Sequence, residues 1–170
     1  LGLFAANVTL SASEIAGGNL NYAFCVRSSE APEGERSAVF VKQTPGYVKV
    51  LGPAAVLSAQ RLHVERQAYA EWQAAAPGSD CLPEVLHFDD TRMVMVMEYL
   101  GSYTLLHETL FSPEALSAPL PPDATCPLRT MAAALGSFLG GVHAATHSSC
   151  IGAERKAELI SSFENAELRG

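Results

Sequence analysis

The six residues Ala38–Gln43, AVFVKQ, constrain the fold of this chain more than any other stretch. Branched and aromatic side chains in a row favour a β-strand, and an unbroken apolar run is typical of a strand that is covered on both faces. In a pleated strand Ala38, Phe40 and Lys42 share one face, so Lys42 is carried on a buried element. A solvated surface lysine is the alternative, and the presence of an anionic partner elsewhere decides between the two.

The sequence offers Glu65 as that partner. Residues 54–76 lack interior glycine and proline and are rich in helix-forming residues, which predicts a helix. Three apolar residues recur in it at helical spacing: Leu62, Tyr69 and Trp72. At about 100° per residue, Glu65 falls inside the arc that they define, where a carboxylate is costly unless it is paired. A glutamate at the edge of the stripe is the alternative, but a pair between Glu65 and Lys42 explains both residues.

Two adjacent glycines, Gly17 and Gly18, separate stretches of strand-forming composition at residues 13–15 and 22–26. The pattern predicts a β-hairpin with a glycine turn. Glycine adopts positive φ and lets a ligand approach the backbone closely, although an ordinary hairpin turn is the alternative interpretation. The polar residues 28–37 predict an exposed loop that leads into the lysine strand.

The second half of the chain predicts two further strands, a linker and a helical region. The strands are expected at residues 82–88 and 92–99, and the methionines of the second are expected in the core. That strand runs into Glu98, Tyr99, Leu100 and Gly101, where we place the boundary between two parts, residues 1–100 and 101–170. Helices are predicted at residues 104–111, 128–147 and 154–169, with a proline-rich loop at 112–127. This order of elements indicates an α+β fold.

Bulk properties exclude several classes of partner. A net charge of −7 and a pI near 5.1 argue against nucleic acid or an anionic membrane. No apolar run approaches the roughly 18 residues of a membrane span.

The four cysteines have no metal-ligand spacing, which favours reduced thiols and a cytoplasmic location. His143 and His147 are spaced i, i+4, but Ala144 stands where a zinc protease has glutamate, so no metal site is assigned. The sequence starts at Leu1 rather than Met, and its last residues, ENAELRG, mark no obvious end of a domain, so we expect truncation at both ends.

Four features together resemble the nucleotide-binding lobe of the protein-kinase-like fold: the glycine hairpin, the strand lysine, the helix glutamate and the strand that ends in MEYL. Three stretches are more specific, and through them the chain resembles the methylthioribose kinase family. They are GGNLNYAF at residues 17–24, VKQTPGYVKVLG at 41–52 and RLHVERQAY at 61–69. FENAEL at residues 163–168 also fits.

The resemblance implies an ATP site and a kinase of the methionine salvage pathway. Lys42 would bind the α- and β-phosphates, and Glu65 would hold Lys42. Two further groups are implied: a glycine turn that covers the nucleotide, formed by Gly17, Gly18, Asn19 and Asn21, and a linker whose backbone binds adenine, formed by Glu98, Tyr99 and Leu100. The implied reaction transfers the γ-phosphoryl group of ATP, with Mg²⁺, to a hydroxyl of methylthioribose. A homodimer is the expected assembly.

The chain departs from the family pattern in ways that bear on activity. Gly17 stands where the family often has an acid, and Tyr99 stands where its linker usually has aspartate. After Gly101 we find neither a His-Gly-Asp catalytic loop nor an aspartate-containing metal motif, so no catalytic residue and no metal ligand is assigned. We therefore expect the 170-residue chain alone to bind nucleotide weakly and to lack turnover. Three alternatives remain: a kinase for another alcohol of choline or aminoglycoside type, a non-catalytic nucleotide-binding module, and a structural module in which the charged pair is internal.

Overall fold

A computed structural model describes residues 2–32, 34–112 and 127–164. Within these ranges the chain forms five strands and four helices. In chain order they are β1 (Leu10–Glu14), β2 (Tyr22–Ser28), β3 (Ala38–Gln43), α1 (Arg61–Ala75), β4 (Val85–Asp89), β5 (Val94–Glu98), α2 (Leu106–Leu110), α3 (Pro127–Thr146) and α4 (Ala153–Phe163). The predicted α+β fold is confirmed: an antiparallel sheet and a long helix form a kinase-like N-terminal lobe, and further helices follow it.

The lysine strand β3 is the centre of the sheet. The strands lie in the order β1-β2-β3-β5-β4, and all neighbouring pairs are antiparallel. Lys42 lies opposite Ala23 of β2 and Met95 of β5. Lys42 is therefore carried on a strand with hydrogen-bonded neighbours on both sides.

Helix α1 packs on the sheet and completes a small core. Leu62 of α1 and Met95 and Met97 of β5 are buried and form one cluster. Partly buried side chains surround the cluster: Phe40, Tyr69, Val85, Phe88 and Met93. The expectation that the methionines of β5 belong to the core is confirmed. Because Leu62 and β5 fix how α1 lies on the sheet, the packing also fixes where the following turn of α1, with Glu65, meets β3.

The predicted start of α1 was wrong by seven residues. The helix begins at Arg61 and not at residue 54. Instead, Tyr47 and Val56 form an isolated antiparallel bridge, and the amide of Leu57 donates to the carbonyl oxygen of Gly46 at 3.2 Å. Tertiary hydrogen bonds thus override the helix propensity of residues 54–60. We call residues 44–60 the β3–α1 connection.

The remaining element bounds differ less from prediction. Strand β5 begins at Val94 because Met93 has a φ of 50°, which is incompatible with a strand. Helix α4 ends at Phe163, while residues 165–169 of its predicted range lie outside the described residues. The proline-rich loop also lies outside them, except for Ser112 and Pro127. None of the helices that the structure describes combines the length and the apolarity that crossing a membrane requires.

Candidate functional site

Lys42 and Glu65 meet between the sheet and the helix. The ammonium group of Lys42 donates to both carboxylate oxygens of Glu65, each at 2.6 Å. The two side chains are 21% and 30% exposed, so the pair is partly shielded from water but can be reached from it. The pairing predicted from the sequence is confirmed. The central strand supplies the cation and α1 supplies the anion, which fixes the ammonium group at a defined place.

One turn further along α1, Tyr69 borders the same pair. Partial burial raises the pKa of the Tyr69 phenol, and the nearby negative charge of Glu65 raises it further. The hydroxyl group of Tyr69 is therefore protonated at neutral pH and can donate a hydrogen bond.

The charged pair lies in a cleft of about 480 Å³. Apolar side chains from three strands or their flanks contribute to its wall: Ile15, Phe40 and Met97. The linker, which begins with the last residue of β5, also lines the cleft, through Glu98, Tyr99 and Leu100. An apolar cleft with one fixed cation suits a ligand that has a flat apolar part and an anionic part.

Contacts on the outer side hold the linker in place. The amide of Glu98 donates to the carbonyl oxygen of Glu84 at 2.8 Å, and the Glu98 carboxylate accepts from the amide of Glu84 at 3.2 Å. The guanidinium group of Arg27 lies 4.7 Å from the centre of the Tyr99 ring. The carbonyl oxygen of Leu100 accepts from the amide of Tyr103 at 3.1 Å, while the amide of Leu100 makes no hydrogen bond to any described residue. That amide is available to a ligand.

The glycine turn lies beside the cleft and lines a separate depression of about 450 Å³. Gly17, Gly18 and Asn19 contribute to this depression, together with Glu14 and Lys49. Gly17 has a φ of 101°, and a Cβ atom on Gly18 would lie 2.9 Å from the carbonyl oxygen of Asn21. Both positions of the tight turn therefore require glycine.

The residues predicted to bind nucleotide thus fall into three places. Five of them line the cleft: Lys42, Glu65, Glu98, Tyr99 and Leu100. Gly17, Gly18 and Asn19 line the neighbouring depression. The side-chain oxygen of Asn21 accepts from Nη2 of Arg61 at 2.9 Å and is engaged within the protein. The nucleotide-binding roles of all nine residues stay predictions.

Sequence reasoning missed two basic residues near the glycine turn. Lys49 forms an ion pair with Glu14, and Arg61 bonds to both the turn and the β3–α1 connection. Both lie inside the stretches that carry the family resemblance, residues 41–52 and 61–69. Their place in these stretches could have marked both residues as candidates, but their contacts join distant parts of the sequence and depend on the fold.

A larger depression, of about 630 Å³, lies on the outer side of the linker and is a weaker candidate. Four of its five charged side chains are already engaged with protein groups. Arg36 pairs with Glu84 at 3.2 Å, Arg27 stacks on Tyr99, and Glu98 accepts from a backbone amide. A ligand there would have to displace these contacts, whereas in the apolar cleft the ammonium group of Lys42 has a third N–H donor beyond its two bonds to Glu65 and lies in the same cleft as the amide of Leu100.

The described residues contain no group of three or more His, Cys, Asp or Glu side chains that could hold a metal ion. His147, one of the two spaced histidines, has Nδ1 2.7 Å from the hydroxyl oxygen of Ser149. The Mg²⁺ that the resemblance implies stays a prediction.

Comparison with known proteins supports the family resemblance that the three specific stretches indicate. A methylthioribose kinase of Bacillus velezensis is 30% identical over 168 residues, which cover 99% of this chain and 38% of the relative. The resemblance to methylthioribose kinases is confirmed. The similarity extends to methylthioribose kinases of Geobacillus kaustophilus, 28% identical over 168 residues, and Bacillus cereus strain G9842, 29% identical over 167 residues. These matches include 98–99% of this chain but only 37–38% of the length of each relative. No protein-family model matches the sequence.

Proposed function

We propose that this chain forms the ATP-binding part of a kinase that phosphorylates methylthioribose. The observation that carries the proposal is the contact of Lys42 with both oxygens of Glu65 in an apolar cleft beside the linker. The names of the relatives support a kinase of this substrate, and the substrate places the reaction in methionine salvage.

Each side chain of the cleft has a role that follows from its chemistry. The ammonium group of Lys42, oriented by Glu65, would bind oxygens of the α- and β-phosphates. Phe40 and Met97 would bury the faces of the adenine ring, and the amide of Leu100 would donate to its edge. These residues bind and orient the nucleotide, and none of them takes the proton of the acceptor hydroxyl.

Phosphoryl transfer also needs a group that positions the acceptor and ligands for Mg²⁺, which neutralises the developing charge on the phosphates. We assign neither role to a residue of this chain. We therefore propose that the chain by itself binds nucleotide weakly and has no turnover, and that activity belongs to a protein as long as the relatives. A homodimer and a cytoplasmic location stay predictions.

A coupled assay of ADP release on the natural-length protein tests the proposal. We expect ATP-dependent turnover with methylthioribose and none above background with choline or an aminoglycoside. Lys42→Met should abolish the turnover because the phosphates lose their cation. Turnover with choline or the aminoglycoside would instead support a kinase for another alcohol, and ATP binding without turnover on any of the three would support the non-catalytic alternative.

A further inference from the structure

The guanidinium group of Arg61 bonds to the β3–α1 connection near both of its ends. Its Nη1 atom donates to the carbonyl oxygens of Pro45, Leu57 and Ser58, at 3.0, 3.1 and 2.7 Å. Its Nη2 atom lies 3.4 Å from the carbonyl oxygen of Tyr47. The side chain therefore holds both ends of the connection against the first turn of α1.

The same guanidinium group also bonds to the hairpin that carries the glycine turn. Nη2 donates to the carbonyl oxygen of Leu20 at 3.1 Å and to the side-chain oxygen of Asn21 at 2.9 Å. These acceptors follow directly after Gly17–Asn19. The β3–α1 connection supports the turn at a second point, where the amide of Val50 donates to the carbonyl oxygen of Asn19 at 3.2 Å.

The position of Arg61 on α1 links these contacts to the charged pair. Arg61 is the first residue of the helix, and Glu65 lies four residues on, so the two side chains project from one helical face about one turn apart. The helix thus fixes Lys42 through Glu65 and fixes the glycine turn through Arg61. A planar guanidinium group presents five N–H donors in a fixed, branched geometry, whereas the ammonium group of lysine presents only three from a single atom.

We propose that Arg61 is a positioning residue for nucleotide binding: it ties the glycine turn to the helix that orients Lys42, so that the turn and the ammonium group meet the phosphates as one rigid unit. The inference rests on the proposed function, because it assumes that the ligand of this unit is a nucleotide. Arg61 contacts protein groups only in this role and takes no part in the transfer itself.

Arg61→Lys in the natural-length protein tests the proposal, since it keeps the positive charge and removes the branched guanidinium group. We expect the KM for ATP to rise about tenfold, which corresponds to about 1.4 kcal/mol. The KM for methylthioribose and the kcat should stay within about twofold. Without nucleotide, hydrogen exchange at the amides of residues 17–21 should become faster. Arg66→Lys is the matched control: Arg66 lies on the same helix, stacks on Phe88 and should change none of these values.

Several outcomes would overturn the inference. An unchanged KM for ATP with a lower thermal midpoint would show that Arg61 is only structural, and unchanged exchange at residues 17–21 would show that it does not hold the turn. If Arg61→Lys does not fold, Asn21→Ala replaces it. Under the proposal Asn21→Ala speeds exchange in the turn without nucleotide, whereas a residue that only contacts nucleotide would leave exchange unchanged. A wild-type protein that neither binds nor uses ATP would refute the proposed function itself, which separates that failure from the failure of Arg61.

Discussion

Glu65→Gln should weaken ATP binding more than it weakens the fold. Glutamine keeps one acceptor oxygen for Lys42 but removes the charge and replaces the second oxygen with an NH₂ group, which cannot accept from an ammonium group. The ammonium group then loses one of its two 2.6 Å contacts and its fixed position. We expect ATP affinity to fall at least about tenfold, which is about 1.4 kcal/mol.

The effect on stability can be estimated from the exposure of the pair. At an effective dielectric constant of about 20, unit charges about 4 Å apart attract by roughly 4 kcal/mol, and desolvation offsets most of this. Exposed pairs contribute about 0.2–1 kcal/mol, whereas breaking a buried pair costs about 3–5 kcal/mol. With side chains that are 21% and 30% exposed, the pair of Lys42 and Glu65 lies between these limits. Glu65→Gln should therefore lower the free energy of unfolding by about 1–2 kcal/mol.

Glu71→Gln is the matched control for this experiment. Glu71 also lies on α1, is 21% exposed and pairs with Arg155 at 2.5 Å, but it lies away from the cleft. The control should cost a similar free energy of unfolding in urea and leave ATP affinity, measured by calorimetry on the natural-length protein, unchanged. Equal ATP affinity for wild type and Glu65→Gln would refute the reasoning, as would an equal loss of affinity in Glu71→Gln.

Three further changes test the turn, the core and one surface carboxylate. Gly18→Ala should weaken ATP binding several-fold in calorimetry, because its Cβ would lie 2.9 Å from a backbone oxygen and the turn would have to move; unchanged affinity would contradict this. Leu62→Ala should lower the free energy of unfolding in urea by about 2–5 kcal/mol, because the side chain is fully buried; a loss below about 1 kcal/mol would contradict the packing. The amide and guanidinium groups of Arg92 lower the pKa of Asp89 below its ordinary value of 3.8, so its contribution to stability is present above that value and is lost as pH falls through the lowered pKa. Asp89→Asn should therefore reduce the acid dependence of stability in urea unfolding at pH below about 4, and an unchanged pH profile would contradict the assignment.

The charged pair could be predicted from the sequence because each partner violates a local rule. A lysine at the end of an apolar strand and a glutamate on an apolar helical stripe are both costly alone, and one contact relieves both costs. The hairpin, the central strand and the methionine-rich strand followed from local composition in the same way. In these elements the local sequence pattern and the tertiary contacts favour the same structure.

The β3–α1 connection could not be predicted, because no local rule describes it. Residues 54–60 have good helix propensity, yet the bridge of Tyr47 with Val56 and the hydrogen bonds of Arg61 hold them in turns. The same guanidinium group also reaches Pro45 and Leu20, which are 16 and 41 residues away in sequence, and such contacts become visible only in the fold. The separation of the predicted site residues into three places could not be predicted either. Asn21, for example, turns its side-chain oxygen to Arg61 and not to the cleft.

The most direct test of the central claim is to find which lysine lies at the phosphates of bound ATP. The chain has three lysines, Lys42, Lys49 and Lys156, so an acyl-phosphate derivative of ATP, which acylates a nearby amine, can be mapped by mass spectrometry without ambiguity. We predict that Lys42 is labelled first and that excess ATP prevents the labelling. Labelling of Lys49 or Lys156 at an equal rate, or labelling of Lys42 that ATP does not prevent, would contradict the assignment of the cleft as the nucleotide site.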